Sequence, residues 1–239
     1  MKRFRALVLC TAIAAAPAVA GAQMPSAPKM PMTSAARTQM PLTAAERSFY
    51  ASASTSLRKR YPNPAAAEKA GWFRFNNEDR TGAISYVNPA YFDSPDAQHP
   101  QQLWYDVNGR LLGADFSQLV ASHPNGPALF GISPARFSRV PLHVHYGTKA
   151  ADGTIDYGLF VRASDFTAAG LDPQKATAAD LVKLGKVKSA HDVAFVFADL
   201  NNYDATMWLI PNPAGQFAGK NPTVKPSPRQ GKAPAERRT

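Results

Sequence analysis

The sequence predicts an α+β fold: one domain of mostly antiparallel sheet, packed by an N-terminal helix and a few short helices. Three observations carry this. A helix signature, AAERSFYASASTSLRKR, follows Thr43; β-rich runs meet in pairs at Asn108-Gly109 and at Asp152-Gly153; and DVAFVFADL and DATMWLIP are apolar over strand lengths.

The elements follow in chain order. Residues 1–22 carry three cations, an apolar run from Ala6 to Ala20, and small residues ending in an Ala-x-Ala pattern, which reads as an export signal peptide. The run of about 15 residues is shorter than the roughly 20 that span a bilayer, so no transmembrane anchor is expected. The protein is accordingly placed outside the cytoplasm, in the periplasm or extracellular space. Cys10, the single cysteine, lies inside the signal, so the mature chain is expected to be free of thiols, disulfides and thiolate metal sites. Residues 23–41, with Pro25, Pro28, Pro31 and Pro41, read as a disordered Pro-rich linker. Residues 42–226 form the single α+β domain, and 227–239 a disordered basic tail.

Within the domain, Thr43 and Glu46 stand at capping-box spacing, and the helix they open should stop at Tyr61, before Pro62. A second short helix, AAAEKA, ends at Gly71. NNEDRTG reads as a turn between strands, so Glu78 and Asp79 are turn residues rather than a catalytic pair. LWYDVNGRLLGADF is a hairpin; a type I′ turn at Asn108-Gly109 would pair Val107 with Arg110 and Tyr105 with Leu112. PLHVHYGTKAADGTIDYGLFVRA is a second. A two-residue loop at Asp152-Gly153 sets Val144 opposite Val161, Tyr146 opposite Leu159, His145 opposite Phe160 and His143 opposite Arg162. Thr177 and Gly185 bound a helix around ATAADLVKLGK. DVAFVFADL, apolar on both faces, reads as a central strand, with DATMWLIP following after an Asn201-Asn202 turn.

Charge excludes one class of function. The chain has 27 cations against 17 anions, but the excess sits in the signal, linker and tail. The folded part is neutral, and a nucleic-acid partner would need basic residues concentrated there, so none is expected. No Gly-x-Ser-x-Gly elbow and no phosphate-cradling glycine loop is present.

Period-2 alternation places Leu142, Val144, Tyr146, Leu159 and Val161 on one face of the second hairpin and His143, His145 and Arg162 on the other. Three readings attach to that polar face. It is the solvated side of an amphipathic strand; or the two imidazoles, at i and i+2, share a divalent metal such as zinc or copper; or the His-His-Arg trio takes a carboxylate or phosphate ester. A metal would need a third ligand, for which His99, His123, His191, Asp106 and Asp115 are candidates. No cofactor is required by the sequence, and the metal is the one it admits. Asp106 and Asp115 interrupt apolar strands, and Trp104, with Trp72, Trp208 and several tyrosines, belongs either to a ligand groove or to the core. The residues singled out for binding are His143, His145, Arg162, Trp104 and Asp106.

The succession GAISYVNPAYF, LWYDVNGRLLGADF, VPLHVHYG and MWLIPNPAGQFAGKNPTVKP, over about residues 43–226, resembles a group of uncharacterised exported bacterial proteins. That group shares a Tyr/His-x-x-Asn-Pro segment, a Leu-x-Tyr strand before a Gly-Arg hairpin, and a Trp-x-x-x-Asn-Pro-x-Gly-x-Phe close. Where relatives carry histidine, this chain has Ser85 and Thr206. The resemblance implies a shared exported domain and no particular activity. The reading that follows is an exported module that binds a small molecule or an envelope protein partner. The alternative is a small metal-dependent or His-based hydrolase organised around His143 and His145.

Overall fold

Thr43 caps the first helix, α1 (Ala44–Arg60), through the reciprocal bonds that the sequence spacing predicts. The Glu46 amide donates to the Thr43 hydroxyl at 3.1 Å, and the Thr43 amide donates to the Glu46 carboxylate at 2.9 Å. Arg58, Lys59 and Arg60 fill the last turn, against the negative end of the helix dipole. Tyr61, the residue before Pro62, ends it as expected. Asn63 caps α2 (Pro64–Lys69), and Gly71, at φ +98°, turns the chain into the strands. This computed structural model describes residues 40–228; the expectations for the signal peptide (1–22), for residues 23–39 of the linker and for 229–239 lie outside the described residues.

Nine strands follow, all paired antiparallel, in two sheets. The larger runs β1 (Phe73–Arg74), β2 (Ile84–Val87), β3 (Gln102–Tyr105), β4 (Leu111–Leu119), β9 (Asn202–Trp208) and β5 (Ser138–Val140). The smaller runs β7 (Ile155–Arg162), β6 (His143–Lys149) and β8 (Val193–Asp199). Two further short helices, α3 (Ala163–Ala168) and α4 (Ala178–Lys183), complete the α+β fold, α4 being capped by Thr177 and closed by Gly185 at φ +68°.

Alternation along the strands decides what each sheet face covers. One face of the larger sheet presents Tyr86, Leu103, Ala114, Phe116, Ala205 and Met207 to α1, forming the main core with Phe49, Ala53 and Leu57. One face of the smaller sheet presents Val144, Tyr146 and Val161 to Phe166 of α3 and Leu181 of α4. The remaining faces meet each other. Phe73 and Phe75 pack on Phe197 with ring centroids 5.6 and 5.5 Å apart, Val87 joins them, and the Gly158 amide donates to the Phe75 carbonyl at 3.0 Å. The layers are therefore helix, sheet, sheet, helices.

Glu46 and Arg136 fasten α1 from within. Both are buried; the guanidinium Nε lies 3.1 Å from Glu46 Oε1, the Ser133 amide donates to the same carboxylate at 3.0 Å, and Arg136 also reaches the carbonyls of Met40 and Pro41. The last two residues of the expected linker thus belong to the fold. At the other end Ser227, expected in the tail, donates to the Glu78 carboxylate through amide and hydroxyl. The Asn212–Phe217 stretch folds back on β9, Trp208 donating its amide to Gln216 O at 2.7 Å and its indole Nε1 to Ala218 O at 2.6 Å.

Three expectations are corrected. Neither Asn108 nor Asp152 has positive φ, so the hairpins do not carry type I′ turns; Gly109 (+77°) and Gly153 (+82°) alone do. Each loop holds three residues, closed by Gly109 N to Asp106 O at 2.9 Å and by Gly153 N to Ala150 O at 3.0 Å. The cause is aspartate chemistry: Asp106 Oδ1 accepts from the amides of Asn108 and Arg110, and Asp152 Oδ1 from the amide and hydroxyl of Thr154, which favours a right-handed turn ending in a left-handed glycine. In the first hairpin Asp106 therefore faces Arg110 and Tyr105 faces Leu111, one residue off the expected register. In the second, an irregularity between Tyr146 and Thr148 absorbs the extra loop residue, and all four expected pairs from His143–Arg162 to Tyr146–Leu159 form. Finally, β8 stands at the end of the smaller sheet rather than at a sheet's centre. Its two apolar faces arise because helices cover one and the larger sheet the other, and the chain crosses between sheets at Leu200–Asn201 instead of turning a hairpin.

Candidate metal centre

His145 of β6 packs between Phe75 and Phe197 rather than on a solvated face, which corrects that reading for it, while His143 beside it is partly exposed. His143, His145 and, from β8, Asp199 lie together there: His143 and Asp199 are directly opposite in the β6–β8 register, and one ligand atom from each of the three lies within 4.8 Å of the others. His143 Nε2 is 2.9 Å from His145 Nε2 and 3.8 Å from Asp199 Oδ2. Phe75 packs edge-on against the His145 ring at 4.8 Å and Phe197 stacks on it at 5.2 Å, so the imidazole is walled by apolar rings on two sides.

His143 and Asp199 are each oriented by a second partner, while His145 is held by the rings packed on it. His143 Nδ1 lies 2.9 Å from the Pro141 carbonyl, which can only accept; the ring proton therefore sits on Nδ1 and the Nε2 lone pair faces the cluster. Asp199 Oδ1 takes the Asn202 side-chain amide at 2.9 Å, leaving Oδ2 toward His143. Burial, with the neighbouring His143 adding, pushes the His145 pKa down to about 3, so its imidazole is neutral at physiological pH. Burial raises the Asp199 carboxyl to about 6, against the opposing pull of His143 and the Asn202 hydrogen bond.

A metal with bonds of about 2.0–2.1 Å holds adjacent donors roughly 3 Å apart. The 2.9 Å between the two imidazole nitrogens fits this as it stands, and Asp199 Oδ2, at 3.8 Å, needs a shift of under about 1 Å. Two imidazoles and a carboxylate are a donor set for zinc, copper or iron(II).

The other residues singled out in the sequence are dispersed. Arg162, opposite His143 in register, is exposed where β7 enters α3. Asp106 is occupied in its hairpin turn. Trp104 packs on Trp208 at 5.4 Å, on the larger sheet. Of the proposed third ligands, His99 pairs with Asp96 and stacks on Tyr91, His123 lies 2.9 Å from Asp93, and His191 is exposed on a separate turn. Asp199 was missed. Its signal was present in DVAFVFADL, where alternation puts Phe195, Phe197 and Asp199 on one face, but only the β6–β8 pairing brings that face beside the histidines.

Compared with protein-family models, curated proteins and solved structures, the chain matches none of them.

Proposed function

We propose that this chain is an exported binding module whose ligand is a divalent transition-metal ion held by His143, His145 and Asp199. The observation that carries the reading is the convergence of three ligand atoms, His143 and Asp199 each turned inward by a partner of its own and His145 walled by Phe75 and Phe197. Export rests on the signal pattern of residues 1–22. The hydrolase alternative draws support from the same site, because three protein ligands leave a coordination position open for water or substrate. A role in anion binding is disfavoured by Asp199, which adds negative charge where an anion would sit.

Metal analysis of purified mature protein tests this. One equivalent of zinc, copper or iron retained after dialysis, and lost in His143→Ala and Asp199→Ala, is expected. Wild type binding no more metal than those variants would show that the His143–His145 contact is a hydrogen bond and nothing more.

A further inference from the structure

On the larger sheet, facing the histidines, stands a second group that the metal centre does not use. Asp115 of β4 lies opposite Thr206 of β9, and Ser117 opposite Asp204, so the two carboxyls are diagonal neighbours on one sheet face. Asp115 Oδ1 accepts from the Thr206 hydroxyl at 3.1 Å, and burial raises the pKa of both carboxyls. Asp199 faces both electrostatically. Among the described residues, the ion pairs involving lysine or arginine are Arg136–Glu46 and Lys175–Asp172, and neither touches these acids.

The surroundings are under-satisfied in one direction. Ser117, 2 % exposed, has no hydrogen-bond partner for its hydroxyl; Asp204 Oδ1 and Asn202 Oδ1 are buried and likewise without one. All three stem from the sheet face that carries Asp115, since the register aligns Asn202, Asp204 and Thr206 with Leu119, Ser117 and Asp115. Buried polar atoms left without partners are costly, and their concentration in one place marks a site for something that binds oxygen atoms. Asp115 and Asp204, neither in an ion pair with lysine, arginine or histidine among the described residues, give that occupant its charge.

We propose that Asp115 and Asp204, with the Ser117 hydroxyl, hold a second divalent cation of the hard, oxygen-seeking class in the same layer as the His143–His145–Asp199 centre. The two positions divide by donor chemistry: imidazole nitrogens attract a zinc-like ion, while carboxylate and hydroxyl oxygens suit manganese, magnesium or calcium. The inference deepens the metal-centre reading by making the inter-sheet layer a two-ion site.

The test uses the mature chain freed of metal by chelation, with Zn²⁺ and Mn²⁺ as probes. Zn²⁺ is titrated first, and Mn²⁺ binding is then followed by loss of the free-ion paramagnetic resonance signal. One equivalent of each is expected. Asp204→Asn should abolish Mn²⁺ uptake and spare Zn²⁺, His143→Ala should do the reverse, and Ser117→Ala should weaken Mn²⁺ at least threefold with an unchanged circular dichroism spectrum. Zn²⁺ binding without Mn²⁺, or Mn²⁺ binding indifferent to Asp204→Asn and Ser117→Ala, would overturn this inference and leave the first centre standing. Mn²⁺ binding without Zn²⁺ would do the opposite.

Discussion

Replacing Glu46 by alanine is expected to destabilise the domain by about 4–6 kcal/mol, although no proposed ligand position is touched. The carboxylate is fully buried, opposes the buried Arg136 guanidinium, and accepts from the amides of Thr43 and Ser133. Breaking a buried ion pair from one side costs about 3–5 kcal/mol, and each lost amide bond about 1 kcal/mol more, part of which water recovers at Thr43. For a domain of this size each kcal/mol lowers the melting temperature by about 2–4 °C. Urea unfolding followed by tryptophan fluorescence measures the loss, with an unchanged m-value showing that compactness is kept. Burial alone would raise the Glu46 pKa, but hydrogen bonds from Arg136, Thr43 and Ser133 outweigh it and hold the carboxyl below its usual range. Its contribution is therefore present above about pH 4.3 and lost as pH falls through the folded pKa, so the gap between wild type and variant should close on acidification. The double variant Glu46→Leu with Arg136→Met should recover most of the loss, because apolar side chains of similar size carry no desolvation cost. A loss under about 1.5 kcal/mol for Glu46→Ala would refute the claim that this pair fastens α1 to the sheet.

Further tests bear on register and site. Val144→Asp, placing a carboxylate among Tyr146, Val161, Phe166 and Leu181, should cost several kcal/mol in thermal unfolding. His145→Asn should cost about 1–3 kcal/mol, since it removes the ring packed between Phe75 and Phe197; an effect near zero would mean that this face is open to water. Gly153→Val, at φ +82° with open space around the Cβ, should lose about 1–2 kcal/mol by conformation alone, whereas Gly147→Ala, whose Cβ would press into the Phe195 ring, should lose about 1–3 kcal/mol by overpacking that Phe195→Leu relieves. Burial raises the pKa of Asp115 to about 7 and of Asp199 to about 6, and raises Asp204 as well. Carboxyls with raised folded pKa stabilise most below their unfolded value, so the metal-free protein should lose stability as pH rises from about 4 to about 7, and Asp204→Asn should flatten that slope in pH-dependent melting.

Much of the fold was legible because its signals are local. Thr43 with Glu46, Thr177 before its helix, Pro62 after Tyr61 and the glycines at 109 and 153 act over a few residues, and each stands where the sequence puts it. The pairing of His143 with Arg162 and Val144 with Val161 was equally readable, since a period of two leaves one register that keeps the apolar face whole. Even so, the loop that produces it has three residues rather than two, because Asp152 bonds to Thr154 in preference to adopting positive φ.

What covers each face was decided by tertiary structure alone. Alternation sorts side chains into two sides but says nothing about what lies beyond them, so the histidine side of β6 reads equally as facing water or a second sheet. The choice is made by Phe73 and Phe75, some 70 residues upstream, meeting Phe195 and Phe197 about 50 residues downstream. The same packing carries Asp199 to the histidines through the β6–β8 register, and Asp115 and Asp204 to the layer opposite through the β4–β9 register. A strand's own sequence records its periodicity; which sheet it joins, and hence which charges it confronts, depends on contacts between segments too far apart in the chain for any local pattern to encode.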